Sequence, residues 1–478
     1  MKRHALYLAM AALGLAATAP AYAQSDNRDD EIKALKALVE KQQQQLNQQQ
    51  QDLQQLHNAL TQLQTQQTQQ QTQIQQTQQA QAQQAQTVAA APAPAASAPT
   101  FTSAPGVSVA FHGFIDATAF SQSKSYTYGN GQNAEYPIPG STGTLSGVDV
   151  RNTRFWFDLT GAKVAGDWTG GAHLEMDFFG GFNGTTAYSQ QQPLPRLRQA
   201  YLLLTNPVTG STIKIGQMWD LMFPLDDLPD SLSHIAFPLG YGAGVIGWRF
   251  PGAIYSQDLN HGSSGPQWRL DVGAFEGTWA SPGTPTNYTS AGNAGFRPQI
   301  EAKLHVEEEK EWMLFLAAHW SQIDLAGVGN TEPTPIKRQF SSEAVELGGL
   351  WTPGPWVLKS VVYTGRGIGE IFGDLSQFGD IKDTGGYVMG GYKFTPNWSA
   401  NLFYAISKPN ANDVVLWLNS GSTGLLKSRQ AAANLQYSVG DYSFALEWIH
   451  AIIDSTKTGA TRTMTSGNQL NVSAMYKF

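Results

Sequence analysis

The sequence contains no cysteine, little charge and no long hydrophobic run, and each absence narrows the class of protein. Without cysteine, disulfide bonds and thiolate metal sites are excluded. Charged residues make up 14% of the 478 residues, whereas soluble globular proteins carry about 25%. The net charge of −7 argues against nucleic acid as a partner. No stretch reaches about 18 consecutive apolar residues, so we expect no membrane-spanning helix.

The first 23 residues have the pattern of a secretory signal peptide. Lys2 and Arg3 give a positive start, Leu6–Ala17 is a short apolar run, and Ala21–Ala23 is a small-residue cleavage pattern. A membrane anchor is the alternative, but the apolar run is too short to span a bilayer. The pattern therefore predicts an exported protein, which could live in a membrane only as a β-barrel.

Glutamine dominates residues 24–87, and apolar residues recur there every seven positions. Low-complexity glutamine tracts are often disordered, which is the alternative interpretation. The repeat favours a coiled coil, because a 3.5-residue spacing buries a seam only where helices supercoil around each other. It therefore predicts an oligomer. The apolar members of the repeat are Ile32, Val39, Leu46, Leu53, Leu60 and Ile74. Residues 88–106 are rich in alanine and proline and predict an extended linker.

From residue 107 to the end, apolar and polar residues alternate with period two, which is typical of β-strands. In the segment Trp398–Ser407, for example, Leu402 and Tyr404 share one face while Asn401 and Phe403 lie on the other. A soluble β-sandwich would alternate as well. Trp and Tyr at the ends of the apolar faces instead resemble the aromatic girdles of membrane barrels.

The connections between these strands alternate between short turns and long loops rich in Gly, Ser, Thr and Asn. This asymmetry is typical of outer-membrane barrels. Eight long loops require sixteen strands, so the sequence predicts an all-β transmembrane barrel over residues 107–478. The final strand places Leu470, Val472, Tyr476 and Phe478 on one face and ends on an aromatic residue. Such an ending resembles the signal by which outer-membrane proteins are recognised for assembly, and this strand should close on the first, near Phe111–Asp116.

Charged residues within strands should face the interior, because the outer face of a membrane barrel must be apolar. Guanidinium groups in a narrow pore would attract anions and bind carboxylates in a bidentate manner. In the alternative interpretation they pair with interior acids such as Glu175 and Asp177 and only stiffen the wall. Arg196 and Arg198 share a face, since strand side chains repeat every two residues. The candidate basic residues are Arg154, Arg196, Arg198, Lys214, Arg249, Arg269, Lys303, Lys359 and Arg429.

The long connection 218–242 is unusually rich in Leu, Phe and Pro. Exposed loops are usually polar, so this one is predicted to fold inward and narrow a pore between the fifth and sixth strands. The alternative is a loop packed against a neighbouring subunit. If the loop folds inward, Asp226, Asp227 and Asp230 face the basic wall and create a transverse electric field across the pore.

Enzymatic activity has little support in the sequence. His173 faces Glu175 and Asp177, but no GxSxG, HExxH or comparable motif accompanies it. We therefore predict no catalytic site, no cofactor and no metal site.

Together these features resemble the DcaP-like trimeric outer-membrane porins. The resemblance rests on the heptads, the first strand VAFHGFIDAT, the segments RQAYLLL and IKIGQMWD, and the closing MYKF. It implies a homotrimer that lets small anionic solutes, especially dicarboxylates, diffuse across the outer membrane. It also implies contact with outer-membrane lipid and lipopolysaccharide. The coil would lie in the periplasm, where peptidoglycan is a further candidate partner. A phosphate-selective porin and a structural barrel that anchors the coil remain the alternatives.

Overall fold

The computed structural model describes residues 100–478, apart from 105, 128, 183–191, 277–296, 309–310, 326–334 and 372–377, together with Gln54. The predicted signal peptide 1–23 and coiled coil 24–87 lie outside the described residues. So does most of the predicted linker 88–106, although its last part contains the strand Thr100–Ala104.

The regular secondary structure of the described residues is almost entirely β-strand. The strands are β1 (Thr100–Ala104), β2 (Val107–Gln122), β3 (Leu145–Asp149), β4 (Arg154–Ala165), β5 (Trp168–Asp177), β6 (Arg196–Asn206), β7 (Ser211–Trp219), β8 (Arg249–Asp258), β9 (Gln267–Glu276), β10 (Pro298–Glu308), β11 (Trp312–Asp324), β12 (Gln339–Trp351), β13 (Trp356–Arg366), β14 (Lys382–Lys393), β15 (Trp398–Ser407), β16 (Leu425–Val439), β17 (Tyr442–Ser455) and β18 (Thr463–Lys477). One short α-helix, α1, spans Ala411–Leu416. Short 3-10 helices lie at Gly131–Asn133, Leu225–Asp227 and Ile368–Ile371. None of the helices among the described residues is long and apolar enough to cross a membrane.

Strand β2 and strands β4 to β18 form a closed barrel of sixteen antiparallel strands. The predicted strand number and fold class of the barrel are therefore confirmed. Closure pairs β18 with β2, from Gln469 opposite Gln122 to Lys477 opposite Phe114. β1 and β3 pair with the two ends of β2 and lie outside the ring of sixteen.

The barrel wall is apolar outside and polar inside, the reverse of a soluble protein. On β15, the outward Leu402 is 69% exposed, whereas Asn401 on the opposite face is buried. On β18, Val472 is 56% exposed while Asn471 is fully buried. Large apolar side chains remain exposed in this way when lipid rather than water surrounds them. The period-two pattern of the sequence thus assigns the faces correctly.

Short and long connections lie at opposite ends of the barrel. Turns such as Gly440–Asp441, between β16 and β17, define the turn end, and the eight long loops define the loop end. Outward aromatic pairs mark the turn end, with ring centroids 4.9 Å apart for Trp398 and Tyr437. A girdle of this kind is expected where a barrel meets the membrane interface.

Candidate functional site

Residues 220–248, which connect β7 and β8, run through the interior of the barrel; we call them the inner loop. The amide of Leu221 donates to Oε2 of Glu301 on β10 at 2.7 Å. Oδ2 of Asp227 accepts from the amide of Gly349 on β12 at 3.1 Å. The hydroxyl of Tyr387 on β14 donates to the carbonyl of Asp227 at 2.6 Å.

Further along its sequence, the inner loop contacts β16, β17 and β18, the last three strands before the closure seam. The side-chain Nδ2 of Asn434 on β16 donates to the backbone carbonyl of Asp230 at 2.8 Å. Ser233 bonds Glu447 on β17, and its Oγ accepts from Nδ2 of Asn471 on β18 at 2.9 Å. These partners are inward-facing residues from much of the circumference. The loop therefore lies within the barrel, as its apolar sequence predicts.

Apolar packing explains why this loop is not polar. The rings of Trp219 and Phe223 stack with centroids 3.7 Å apart. Met222, Leu239 and Ile246 are almost fully buried in the same cluster. The inner wall supplies matching apolar residues, namely Phe250, Phe275, Phe315, Val361 and Phe403. Burial of this surface stabilises the loop in its inward position.

The first long loop also folds inward, which the sequence did not indicate. Nε2 of Gln132 donates to Asp116 and, at 2.9 Å, to Thr118, both on β2. Oε1 of the same residue accepts from the amide of Asn152 at 2.8 Å. Glu135 is 3% exposed. A polar loop sequence gives no signal for this, because other partners of the loop are distant in the sequence, such as Gln430 on β16 and Gln469 on β18.

Four arginines gather on the wall from β4 to β8, and we call Arg154, Arg196, Arg198 and Arg249 the basic cluster. The guanidinium of Arg196 binds Asp177 in a bidentate manner, with distances of 3.0 and 2.6 Å. Arg198 donates to Glu175 and, from Nη1, to Oδ2 of Asp177 at 2.7 Å. The shared face predicted for Arg196 and Arg198 is therefore observed, and so is their pairing with interior acids.

The other two arginines are less fully satisfied. Arg249 is 6% exposed and lies between two indole rings, 4.6 Å from the centroid of Trp219 and 4.4 Å from that of Trp248. Among the described residues, its Nε and Nη1 have no hydrogen-bond partner, and neither do Nε and Nη2 of Arg154. The nearest carboxylate of Arg154 is Glu175, at 3.9 Å. The cluster thus holds four guanidinium groups and two carboxylates. Some of its guanidinium N–H donors have no acceptor among the described residues.

Three other predicted basic residues lie beside a small interior cavity. Lys214, Arg269 and Lys303 line a space of about 160 Å³, and Asp226 of the inner loop borders it as well. Nε of Arg269 donates to Oδ1 of Asp271 at 2.8 Å. The cavity lies between the wall and the inner loop.

The structure corrects the prediction for Arg429. Its cross-strand neighbours are Ile406 and Ile452, and it lies on the face of β16 that carries Leu435. That face is the outer one, and Nη2 of Arg429 there lies 3.4 Å from Oδ2 of Asp454. The prediction counted the charge as inward without following the two-residue period of its own strand.

The three loop acids do not form the uniform negative face that the sequence suggested. Burial raises the pKa of Asp227 to about 8, although the charge of Lys359 and the amide of Gly349 oppose the rise. The carboxyl is therefore mostly neutral at pH 7. Asp230 pairs with Lys359 at 2.8 Å, and only Asp226 borders the small cavity.

His173 belongs to the wall. Its Nδ1 lies 2.7 Å from Oδ1 of Asp158, and its ring stacks on Tyr201 with centroids 5.0 Å apart. Among the described residues, no group of three or more His, Asp or Glu side chains could hold a metal ion. The absence of an enzymatic activity and of a metal stays a prediction.

A closed sixteen-stranded barrel with an apolar exterior and an inward loop between its fifth and sixth strands is the architecture of porins. Solved structures agree. The outer-membrane channel DcaP of Acinetobacter baumannii matches with a TM-score of 0.59 and 19% identity, over 79% of this chain and 99% of that one. The anion-selective porin from Comamonas acidovorans matches with a TM-score of 0.51 and 14% identity, over 78% and 100%. The resemblance to the DcaP-like porins is thus confirmed at the level of the fold.

No protein-family model matches the sequence. No curated protein matches it either.

Proposed function

We propose that the protein is an outer-membrane porin through which small anionic solutes diffuse passively. The observation that carries the proposal is the inner loop, which crosses a barrel with a lipid-compatible exterior and lies against the basic cluster. A barrel used only as an anchor has no need for a polar interior with a loop held by hydrogen bonds to many strands. A narrowed interior, in contrast, selects solutes by size and charge.

The basic cluster supports a preference for anions where the inner loop lies against the wall. Its four arginines face two carboxylates, and Arg154 and Arg249 retain guanidinium nitrogens without a partner in the part of the chain that the structure describes. Carboxylate groups match the planar donors of arginine in a bidentate manner, and phosphate groups do so as well. One neighbour in fold is described as an anion-selective porin. Dicarboxylates are the solutes that the resemblance to DcaP-like porins implies.

The assembly that we propose is a homotrimer. Its contacts would be the outer walls of the barrels and a periplasmic coiled coil over residues 24–87. The heptad repeat supports this, since a single helix cannot bury its own apolar seam. The predicted signal peptide and the barrel fold support an outer-membrane location.

Reversal potentials in planar bilayers test the channel and its selectivity together. In a KCl gradient the wild-type protein should conduct ohmically and favour chloride. The Arg249→Gln variant should favour chloride less, because it removes an under-paired cation from the interior. Arg429→Gln is the matched control, since it removes one arginine charge from the outer face. A protein that forms no conducting pores would leave only the structural, anchoring function.

Two results would redirect the proposal. Equal reversal potentials for wild type and Arg249→Gln would mean that the basic cluster is structural. Stronger competition by phosphate than by succinate for chloride current would favour a phosphate-selective porin instead. The coil is tested by replacing residues 24–87 with a flexible linker of the same length. The trimer should then dissociate more readily on native gels, and an unchanged trimer would exclude a role for the coil in assembly.

A further inference from the structure

A deep groove indents the outer face of the barrel between β13 and β17, near the loop end. Its volume is about 990 Å³. Gly386 contributes to this indentation, since it lies on the outward face between Thr384 and Val388 and has no side chain. At Gly386 a side chain has no room, because a Cβ there would lie 2.2 Å from the carbonyl oxygen of Val361. The wall must therefore stay thin at this point.

The floor of the groove is apolar. Val362, Val388 and Tyr404 line it and are 55%, 54% and 46% exposed. They lie on the outward face, in line with the other lipid-facing residues. A concave groove lined by exposed apolar side chains contacts a flexible hydrocarbon chain over more of its surface than a flat wall does.

The rim of the groove at the loop end is cationic. Lys382, Lys408, Lys427 and Arg462 line it, each within a few residues of the loop end of a strand or just beyond it. None of the four forms an ion pair with a carboxylate among the residues that the structure describes.

Two acids also border the groove, fewer than the four cations of its rim. Asp383 points into the barrel, where its Oδ2 accepts from the hydroxyl of Tyr363 at 2.9 Å. Asp454 is the cross-strand neighbour of Lys427, and its Oδ2 lies 3.4 Å from Nη2 of Arg429, a further cation. The rim is therefore left with an excess of positive charge on the membrane-facing side of the barrel.

The distance between rim and floor suits one kind of molecule. Val388 follows Lys382 by six residues on β14, which corresponds to about 20 Å along a strand. With a strand tilt of about 40°, this is about 15 Å along the membrane normal, or half of the hydrocarbon core of a bilayer. The groove thus combines anion-binding groups at the membrane interface with an apolar surface that extends along the membrane normal by about the thickness of one leaflet.

We propose that this outer groove binds a phosphorylated, acylated lipid of the leaflet on the loop side. The four cations would hold its phosphates, and an acyl chain would lie over Val362 and Val388. Lipid A, which carries two phosphates and several acyl chains, has this chemistry. The site is separate from the interior and does not depend on whether the barrel conducts.

Native mass spectrometry of the full chain in detergent, titrated with lipid A, tests the site. The variant K382Q/K408Q/R462Q should bind more weakly by on the order of a hundredfold, if each basic residue contributes about 1 kcal/mol. The matched control K163Q/K393Q/K477Q removes the same charge at the turn end and should bind like wild type. Lipid A without phosphates should bind the wild type as weakly as intact lipid A binds the triple variant.

A second variant tests the groove without changing charge. Thr384 is exposed and lines the groove, so Thr384→Trp should fill it and also weaken binding. Each variant must first show the heat-dependent gel mobility of a folded barrel. Wild-type affinity in either variant overturns the proposal. Loss of the oligomer in either variant would identify the groove as a contact between copies of the chain, and would overturn it as well.

Discussion

Lys359 of β13 holds Asp230 of the inner loop, with 2.8 Å between its Nζ and Oδ1 of the carboxylate. The same ammonium group donates to the carbonyl of Leu228 at 2.7 Å. Lys359 is largely buried while the Asp230 side chain is 43% exposed. One wall side chain thus fixes two points of the loop, and the position of the loop depends on it.

Replacing Lys359 with methionine should loosen the inner loop. The change removes both hydrogen bonds and leaves Asp230 unpaired, at a cost of about 1 to 3 kcal/mol, towards the lower end because the carboxylate is partly exposed. We expect a larger and noisier single-channel conductance in planar bilayers. Lys359→Arg is the control, since it keeps a cation at the same place. Conductance identical to wild type in Lys359→Met would show that apolar packing alone positions the loop.

The protonation of Asp227 should make the inner loop sensitive to pH. Burial raises its pKa to about 8 when the loop is docked, whereas a released loop would have the ordinary value of about 4. Between these two values the docked state binds an extra proton. The docked state is therefore most stable below about pH 4, and its stability falls as pH rises to about 8. Conductance should increase over this range.

Substitution identifies the group responsible for that response. Asp227→Asn should remove most of the pH dependence of conductance, because its amide stays neutral. The charged groups around Asp227 are Lys359, Lys303 and Glu346. Glu346→Gln serves as the comparison, because Glu346 is the carboxyl group of β12 beside Asp227. A response that persists in Asp227→Asn but vanishes in Glu346→Gln would assign the effect to the strand carboxyl.

The hydrogen bonds of the Gln132 side chain should hold the first long loop in its inward position. Gln132→Leu keeps the size of the side chain but removes its hydrogen bonds to Asp116, Thr118 and Asn152. Buried groups left without partners cost about 1 to 3 kcal/mol. Hydrogen exchange of residues 129–137 should accelerate. Gln267→Leu, at an exposed turn, should leave exchange there unchanged. Equal protection in wild type and Gln132→Leu would argue that other contacts hold this loop.

The barrel was predictable from the sequence because its outer face is regular. Every second residue must be apolar to face lipid, so the alternation in a strand such as β18 predicts both its length and which of its faces points outward. The inner loop was predictable for a related reason. A connection rich in Leu, Phe and Pro cannot remain exposed without cost, and Met222 and Leu239 indeed lie in an apolar cluster with the inner wall.

The details of the interior were not predictable, since they depend on contacts between distant positions. Asp227 was predicted to face the basic wall together with Asp226 and Asp230, yet its partners are Gly349 and Tyr387 on two separate strands. The residues around Gln132 show no sequence pattern that would predict an inward position for the first long loop. Arg429 is different, because strict counting from Ala431 would have placed it on the outer face.

The seam that closes the barrel should tolerate no side chain at Gly113. The amide of Gly113 donates to the carbonyl of Phe478 at 3.0 Å, and the amide of Phe478 donates back at the same distance. A Cβ at position 113 would lie 2.7 Å from the carbonyl oxygen of Arg154 and closer still to the Phe478 ring. Either the last residue or β4 must shift if alanine is introduced.

Gly113→Ala should therefore destabilise the closed barrel by about 1 to 3 kcal/mol, the usual cost of overpacking. The fraction of protein that migrates as a folded barrel on unheated gels should fall, and its unfolding temperature should drop. Gly390→Ala is the control, because β14 has room for a Cβ there, with the nearest atom 3.8 Å away. Equal unfolding temperatures for the two variants would mean that the seam relaxes around residue 113 without strain.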